Sequence, residues 1–432
     1  MTLYRAHVLD TPDDPFRGGA LRADADAGLL VRDGLIVSRG PFVDVRAEHP
    51  GEPVVELRRG LLLPGLVDTH VHYPQLRVIG ALGMPLLDWL QKCALPEEAR
   101  FADVGYARTV ADEFVTALAA AGTTTALVFG AHFAPAVDAL FEAATARGLR
   151  ITSGLVVADR ELRPELHTTA QRAYDEGRAL AARWHGTGRT RYAVTPRFAL
   201  SCTGELLESC RALHDEIGGS WFTSHLNENP AEIAKVQQLF GVDTYLDSYE
   251  RHGLVGARSV FAHDVHPADV ELKLLGANGA SVAHCPTSNA ALGSGLFPLD
   301  RHQAHDVRVA LGSDVGAGTG LSLFKEGLQA YFVQQLRGPA GVPLTPAHLL
   351  HLATAAGAAA LGLREQVGDL GAGKRFDALW LDPEPGSPLE IGLRHAACEE
   401  DALAKVFALA TSPDVARVWV DGDVVSFRDV EA

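Results

Sequence analysis

The sequence predicts an α/β protein: a (β/α)8 TIM barrel with a small β-sandwich domain built from both termini. Three observations predict it. In the middle of the chain, short β-rich runs alternate with Ala/Leu/Glu-rich helical stretches eight times over, the pattern of a parallel sheet closed on itself. The two ends repeat one plan instead, with apolar runs on either side of Asp33-Gly34 and of Asp421-Gly422. Side chains that bind metals close several of the central runs, where the strands of such a barrel end.

At 432 residues the chain suits one large domain plus a smaller one. Asp-Gly between apolar runs is a strong hairpin signal, and residues 54–57 and 376–381 add further strands. Residues 1–62 plus 372–432 are therefore assigned to the small β domain, and 63–371 to the barrel. The barrel runs expected are 63–67, 123–129, 150–157, 191–195, 221–225, 259–262, 280–283 and 308–311. Helical segments are expected over 101–121, 135–147, 168–184, 205–216, 230–240 and 346–360. The loop from 71 to 100 is long and carries Leu86, Leu87, Trp89 and Leu90, as a lid or binding loop would.

A count of 38 Lys+Arg against 54 Asp+Glu gives a net charge of -16, which argues against a nucleic-acid or anionic membrane partner. No apolar run reaches the length of a membrane span, and no signal peptide is read. The five cysteines are sparse, odd in number and free of any Cys-x-x-Cys pair, as expected of reduced thiols in a cytoplasmic protein.

Five ligand-type residues stand out. His70 and His72 lie at i and i+2 of one extended run, so both point to one face. His225, His263 and Asp314 end the runs expected as strands 5, 6 and 8. Imidazoles with a carboxylate suit a borderline-soft divalent cation, most simply Zn2+, with Fe2+ also compatible. Such an ion brings a water toward neutral pKa and so supplies a nucleophile. Glu228, three residues after His225, is placed to move its protons, and Asp314 to touch the ion or hydrogen-bond the water. The chemistry is hydrolysis at a carbon with a poor leaving group, as in a deaminase or amide hydrolase. Lone histidines such as His284, His302 and His305 are read as core or surface residues. The deaminase signature of His-x-Glu with Pro-Cys-x-x-Cys fits poorly: His214-Asp-Glu216 matches its first half, and no Pro-Cys-x-x-Cys exists.

Pro64-Gly-Leu-Val-Asp-Thr-His-Val-His72, His225-x-x-Glu228, His263, His284-Cys-Pro-Thr-Ser-Asn289 and Gly312-Ser-Asp314 follow one another as in the aminohydrolase branch of the amidohydrolase superfamily, which the chain resembles over nearly its whole length. That branch uses one metal, and no lysine here looks like the carbamylated bridge of two-metal members. Within it, His72-Tyr-Pro-Gln75, Pro85-Leu-Leu-Asp-Trp-Leu90 and Thr195-Pro-Arg-Phe-Ala-Leu-Ser-Cys202 resemble the guanine deaminases. The resemblance implies deamination of guanine to xanthine and ammonia, with Gln75 and Arg197 holding the purine, and a homodimer. Arg197 can donate to O6 of guanine, whereas the amine at C6 of adenine would face it donor to donor. Phe198 and Trp89 are candidates for contact with the flat ring, with His225 beside it. Alternative substrates are 8-oxoguanine, cytosine, an s-triazine or S-adenosylhomocysteine, and a different class of reading is an inactive scaffold.

Overall fold

The computed structural model describes residues 1–428. The barrel strands are β1 (Leu66–His72), β2 (Thr123–Phe129), β3 (Arg150–Gly154), β4 (Thr190–Pro196), β5 (Trp221–Leu226), β6 (Ser259–His263), β7 (Ser281–His284) and β8 (Arg308–Leu311). Each pairs parallel with the next. Both faces of these strands are buried, which is why they read as continuous apolar runs rather than alternating ones. The loop after β8 returns to β1: Asp314 N donates to His70 O at 2.8 Å and His72 N to Val315 O at 2.9 Å. The expected (β/α)8 barrel is thus present.

The outer helices begin where the sequence carries side-chain caps. Asp103, Thr169, Thr203 and Asn229 accept from free N–H groups of the first turns of Val104–Ala120, Ala170–Trp184, Gly204–Glu216 and Pro230–Phe240. Two details differ from expectation. The apolar run at 61–67 serves two sheets: Val54–Pro64 belongs to the terminal sheet, and β1 starts only at Leu66. The helix expected over 346–360 breaks at Thr354, whose φ of -135° and ψ of -84° separate Pro346–Ala353 from Ala355–Ala360.

The second sheet comes from both termini. Its strands run in the order Asp423–Phe427, Val415–Val420, Ala378–Leu381, Val54–Pro64, Thr2–Asp10, Arg22–Arg32, Leu35–Pro41. Tyr4 and Trp419 lie three strands apart, which is ~14 Å in a flat sheet, yet their ring centroids are 5.7 Å apart. The sheet therefore folds over a core that includes Tyr4, Phe376 and Trp419. Both Asp-Gly pairs form tight hairpin turns with positive φ at each residue: 50° and 75° at Asp33-Gly34, 50° and 78° at Asp421-Gly422. The stretch after Leu381 is not all β. Pro388–Arg394 and Glu399–Leu409 are helices, and Phe407 packs on Phe324 of the barrel helix Leu323–Leu336. Among the described residues no helix is long and apolar enough to cross a membrane.

Asp10 ties the terminal sheet together. Fully buried, it accepts from Arg22 Nε at 2.8 Å, Arg39 Nη1 at 2.7 Å and Leu370 N at 2.8 Å. Burial raises its pKa, but the two guanidinium groups outweigh that and hold it below its ordinary value. Asp10→Asn removes the carboxylate that the two arginines share, leaving Arg39 with Asp24 and Arg22 with Asp369, and is expected to cost ~2 kcal/mol, measured as a lower urea midpoint. A carboxylate with a depressed folded pKa stabilises above its unfolded value of about 4 and loses that contribution below it. The gap between the two proteins should therefore be full at pH 7 and close as the pH falls below about 4.

Candidate metal centre and active site

At the C-terminal end of the barrel, four predicted ligands converge. The donor atoms of His70, His72, His225 and Asp314 all lie within 4.8 Å of one another, and every one of these residues is buried. His70 Nε2 and His72 Nε2 stand 3.1 Å and 3.3 Å from Asp314 Oδ1. The two imidazole nitrogens are 3.1 Å apart, and His225 Nε2 is 3.3 Å from His72 Nε2. Ligand atoms at ~2.0–2.1 Å from one tetrahedrally held ion lie at about these separations.

The protonation states fit a cation as well. Burial lowers His72 to about 4 and His225 well below its ordinary value, and the crowding of imidazoles opposes protonation further, so the rings are neutral and offer lone pairs. Burial acts to raise Asp314, but the imidazoles of His70 and His72 beside its Oδ1 outweigh it and hold the carboxyl well below its usual range. His225 Nδ1 donates to the carbonyl of Arg197 at 2.5 Å, which leaves Nε2 as the lone-pair nitrogen. The donor set therefore suits a single divalent cation.

Local folding places these groups. The pleat of β1 brings His70 and His72 to one face. Asp314 sits past β8 with φ of 45°, His263 ends β6 with φ of 74°, and Asn227, beside Glu228, has φ of 50°. Non-glycine residues in this region are strained by about 1–3 kcal/mol each, and such strain gathers at functional sites. Side-chain bonds hold these loops: Asn227 donates to Asp264 at 2.9 Å, and Asp264 bonds His302 at 2.9 Å. His302 is thus a buried anchor. His284 is also in the core, stacked on Phe297 at 4.1 Å.

His263 stands beside the four-residue group. Its Nε2 is 3.5 Å from Glu228 Oε2 and 3.8 Å from Asp314 Oδ2, and its Nδ1 lies 3.0 Å from Asn289 Oδ1. Glu228 is buried and accepts from Ser294 Oγ at 3.2 Å. Burial, then the Asp314 carboxylate, push its pKa up to about 8.

A narrow cavity connects this group to the other predicted residues. Gln75, Trp89, Arg197 and Phe198 line it together with His72, His225, Glu228, His263 and Asp314. The 71–100 segment folds over it in short helical turns, and its Leu86, Trp89 and Leu90 form an apolar wall. One residue in that segment escaped the sequence reading. Glu98, buried, accepts from Gln75 Nε2 at 2.7 Å and from Arg197 Nη1 at 2.7 and 2.6 Å. Its only sequence signal is an acid in a long loop, beside a second acid, Glu97.

The amidohydrolase family model matches residues 61–425. The probable guanine deaminase of Deinococcus radiodurans is 60% identical over 439 residues, covering 100% of both chains. The solved E. coli guanine deaminase superposes with a TM-score of 0.95 at 37% identity, covering 99% of this chain and 100% of that one. The C. acetobutylicum guanine deaminase, solved with guanine in its active site, superposes with a TM-score of 0.90 at 26% identity, over 98% and 99% of the two chains. This chain belongs to the amidohydrolase family, among its guanine deaminases.

Proposed function

We propose that this protein is a metal-dependent guanine deaminase that hydrolyses the free base at C2, giving xanthine and ammonia. One observation carries the reading. A single cavity is lined by His72, His225 and Asp314 of the buried three-histidine, one-aspartate group, by Glu228, and by Arg197 and Gln75. His70, His72, His225 and Asp314 would hold the ion, and the Nε2 lone pair of His263 would serve the ion or a water near Glu228. A bound divalent cation, foremost Zn2+ and otherwise Fe2+, supplies Lewis acidity and lowers the pKa of a water toward neutrality.

Glu228 takes a proton from the attacking water and passes it to the ring nitrogen beside C2. Glu228 then takes the proton of the hydroxyl now on C2 and gives it to the exocyclic nitrogen, so that the C2–N bond breaks, the C2 carbonyl forms and ammonia leaves. A positioned carboxylate can hold and release protons in this sequence. Asp314 orients the water as well as the ion. Arg197 donates to O6, Gln75 reaches the same ring, and Phe198, Trp89 and His225 contact its faces and edges. The same reading takes the enzyme to be a cytoplasmic homodimer, on the family resemblance and the five free thiols.

Replacing Arg197 with methionine should raise the KM for guanine about 10- to 100-fold, by the loss of its charge-assisted hydrogen bond to the base and of the bonds that hold Glu98 beside Gln75. Steady-state kinetics check this. The substrate is tested by a panel of guanine, 8-oxoguanine, cytosine, an s-triazine and S-adenosylhomocysteine, followed by ultraviolet absorbance. Guanine should have the highest kcat/KM, and turnover of another member with none of guanine would overturn the reading.

A further inference from the structure

Glu98 lies outside the metal group, yet it touches both side chains proposed to hold the base. Its two oxygens accept from Arg197 Nη1, and Oε1 also accepts from Gln75 Nε2. The other end of the Gln75 amide is fixed too, because Gly316 N donates to Gln75 Oε1 at 3.1 Å. A carboxylate accepts only and a backbone N–H donates only, so these two neighbours permit one orientation of the amide. One N–H of Gln75 Nε2 remains for a ligand. Arg197 has no acceptor at all.

Burial raises the pKa of Glu98, but Arg197 and His132 outweigh it and hold the carboxyl well below its ordinary range. His132 Nε2 stands 3.3 Å away. The carboxylate is therefore ionised, and the buried guanidinium keeps a partner that does not compete for the substrate's acceptors.

We propose that Glu98 is a positioning and specificity-determining residue: by clamping Arg197 and Gln75 together, it makes their part of the cavity wall a donor surface, selective for a purine edge bearing a carbonyl at C6 over one bearing an amine. This rests on the proposed guanine reading for the placement of the base. It adds the group that sets the donor polarity of that placement, acting through two other side chains rather than by touching the base.

The test pairs kinetics with binding of two bases that lack the reacting amine. Hypoxanthine carries the C6 carbonyl and adenine the C6 amine, and calorimetry gives their Kd values on the metal-loaded protein. The wild type should bind hypoxanthine at least about tenfold more tightly than adenine, the range set by facing donors with donors in a buried site. In Glu98→Gln, whose amide can flip and itself donate, that ratio should fall to about threefold or less. Its KM for guanine should rise about tenfold, with kcat changed less than about threefold.

Glu98→Asp keeps the charge that the buried arginine requires and draws the carboxylate back by one methylene. It should fold as the wild type does, with a smaller loss of the same ratio, and it decides the matter if Glu98→Gln does not fold. A hypoxanthine-to-adenine ratio and a guanine KM within twofold of wild type in the folded variants would overturn the inference. So would a wild type that binds adenine as tightly as hypoxanthine. If the wild type prefers hypoxanthine yet releases no ammonia from guanine, the proposed reaction fails while the role of Glu98 stands.

Discussion

Glu228→Gln should lower kcat for guanine by about 10²–10⁴-fold, the contribution of a positioned general acid–base, with little change in KM. The substitution keeps the shape of the side chain and its contact with Ser294 Oγ, 3.2 Å away. It removes the ability to accept a proton from water and return it to the base. The acid is buried, among the described residues no lysine or arginine is bonded to it, and burial with Asp314 nearby pushes it up to about 8. Substituting a neutral amide therefore leaves no unpaired charge behind, and the fold should survive. Single-turnover assays with circular dichroism on the same preparation check both halves. Unchanged kcat would remove Glu228 from the mechanism.

Asp314→Asn should lose the metal and lower turnover by about 10³-fold or more. Without the cation, the pKa of the water returns from about 7 toward its bulk value near 15.7, and the several kcal/mol of charge stabilisation go with it. Asp314 Oδ1 lies within 3.3 Å of both His70 Nε2 and His72 Nε2, and it is the only carboxylate in the group of four. An amide nitrogen turned toward those imidazoles would oppose a cation. Metal content by atomic absorption, read beside activity, separates two roles. Full metal content with low activity would restrict Asp314 to orienting the water.

Much of this site was legible because its signals are local. His70 and His72 share one strand face by the period of two, and the runs before His225, His263 and Asp314 are short, apolar and bounded like barrel strands. What escaped was non-local or hidden by continuity. Glu98 is 99 residues from Arg197 in the chain, and nothing in a lone sequence couples an acid in a loop to an arginine after β4. The unbroken apolar run at 61–67 conceals a change of sheet at Pro64-Gly65, because both sheets bury it equally. The break at Thr354 lies inside an Ala-rich segment of high helix propensity, where Thr354 Oγ1 donates to Leu350 O, four residues back, at 2.5 Å and competes with the helix. The helices after Leu381 were masked by the strands that flank them on both sides.

The central claim is that one ion, held by His70, His72, His225 and Asp314, is required for hydrolysis of guanine. The direct measurement is titration of metal-free protein with Zn2+ while xanthine and ammonia are followed together. Activity should rise from background and level off at one ion per chain, with one ammonia released for each xanthine formed. Turnover of guanine by the metal-free protein, or a plateau reached only at two ions per chain, would contradict the account.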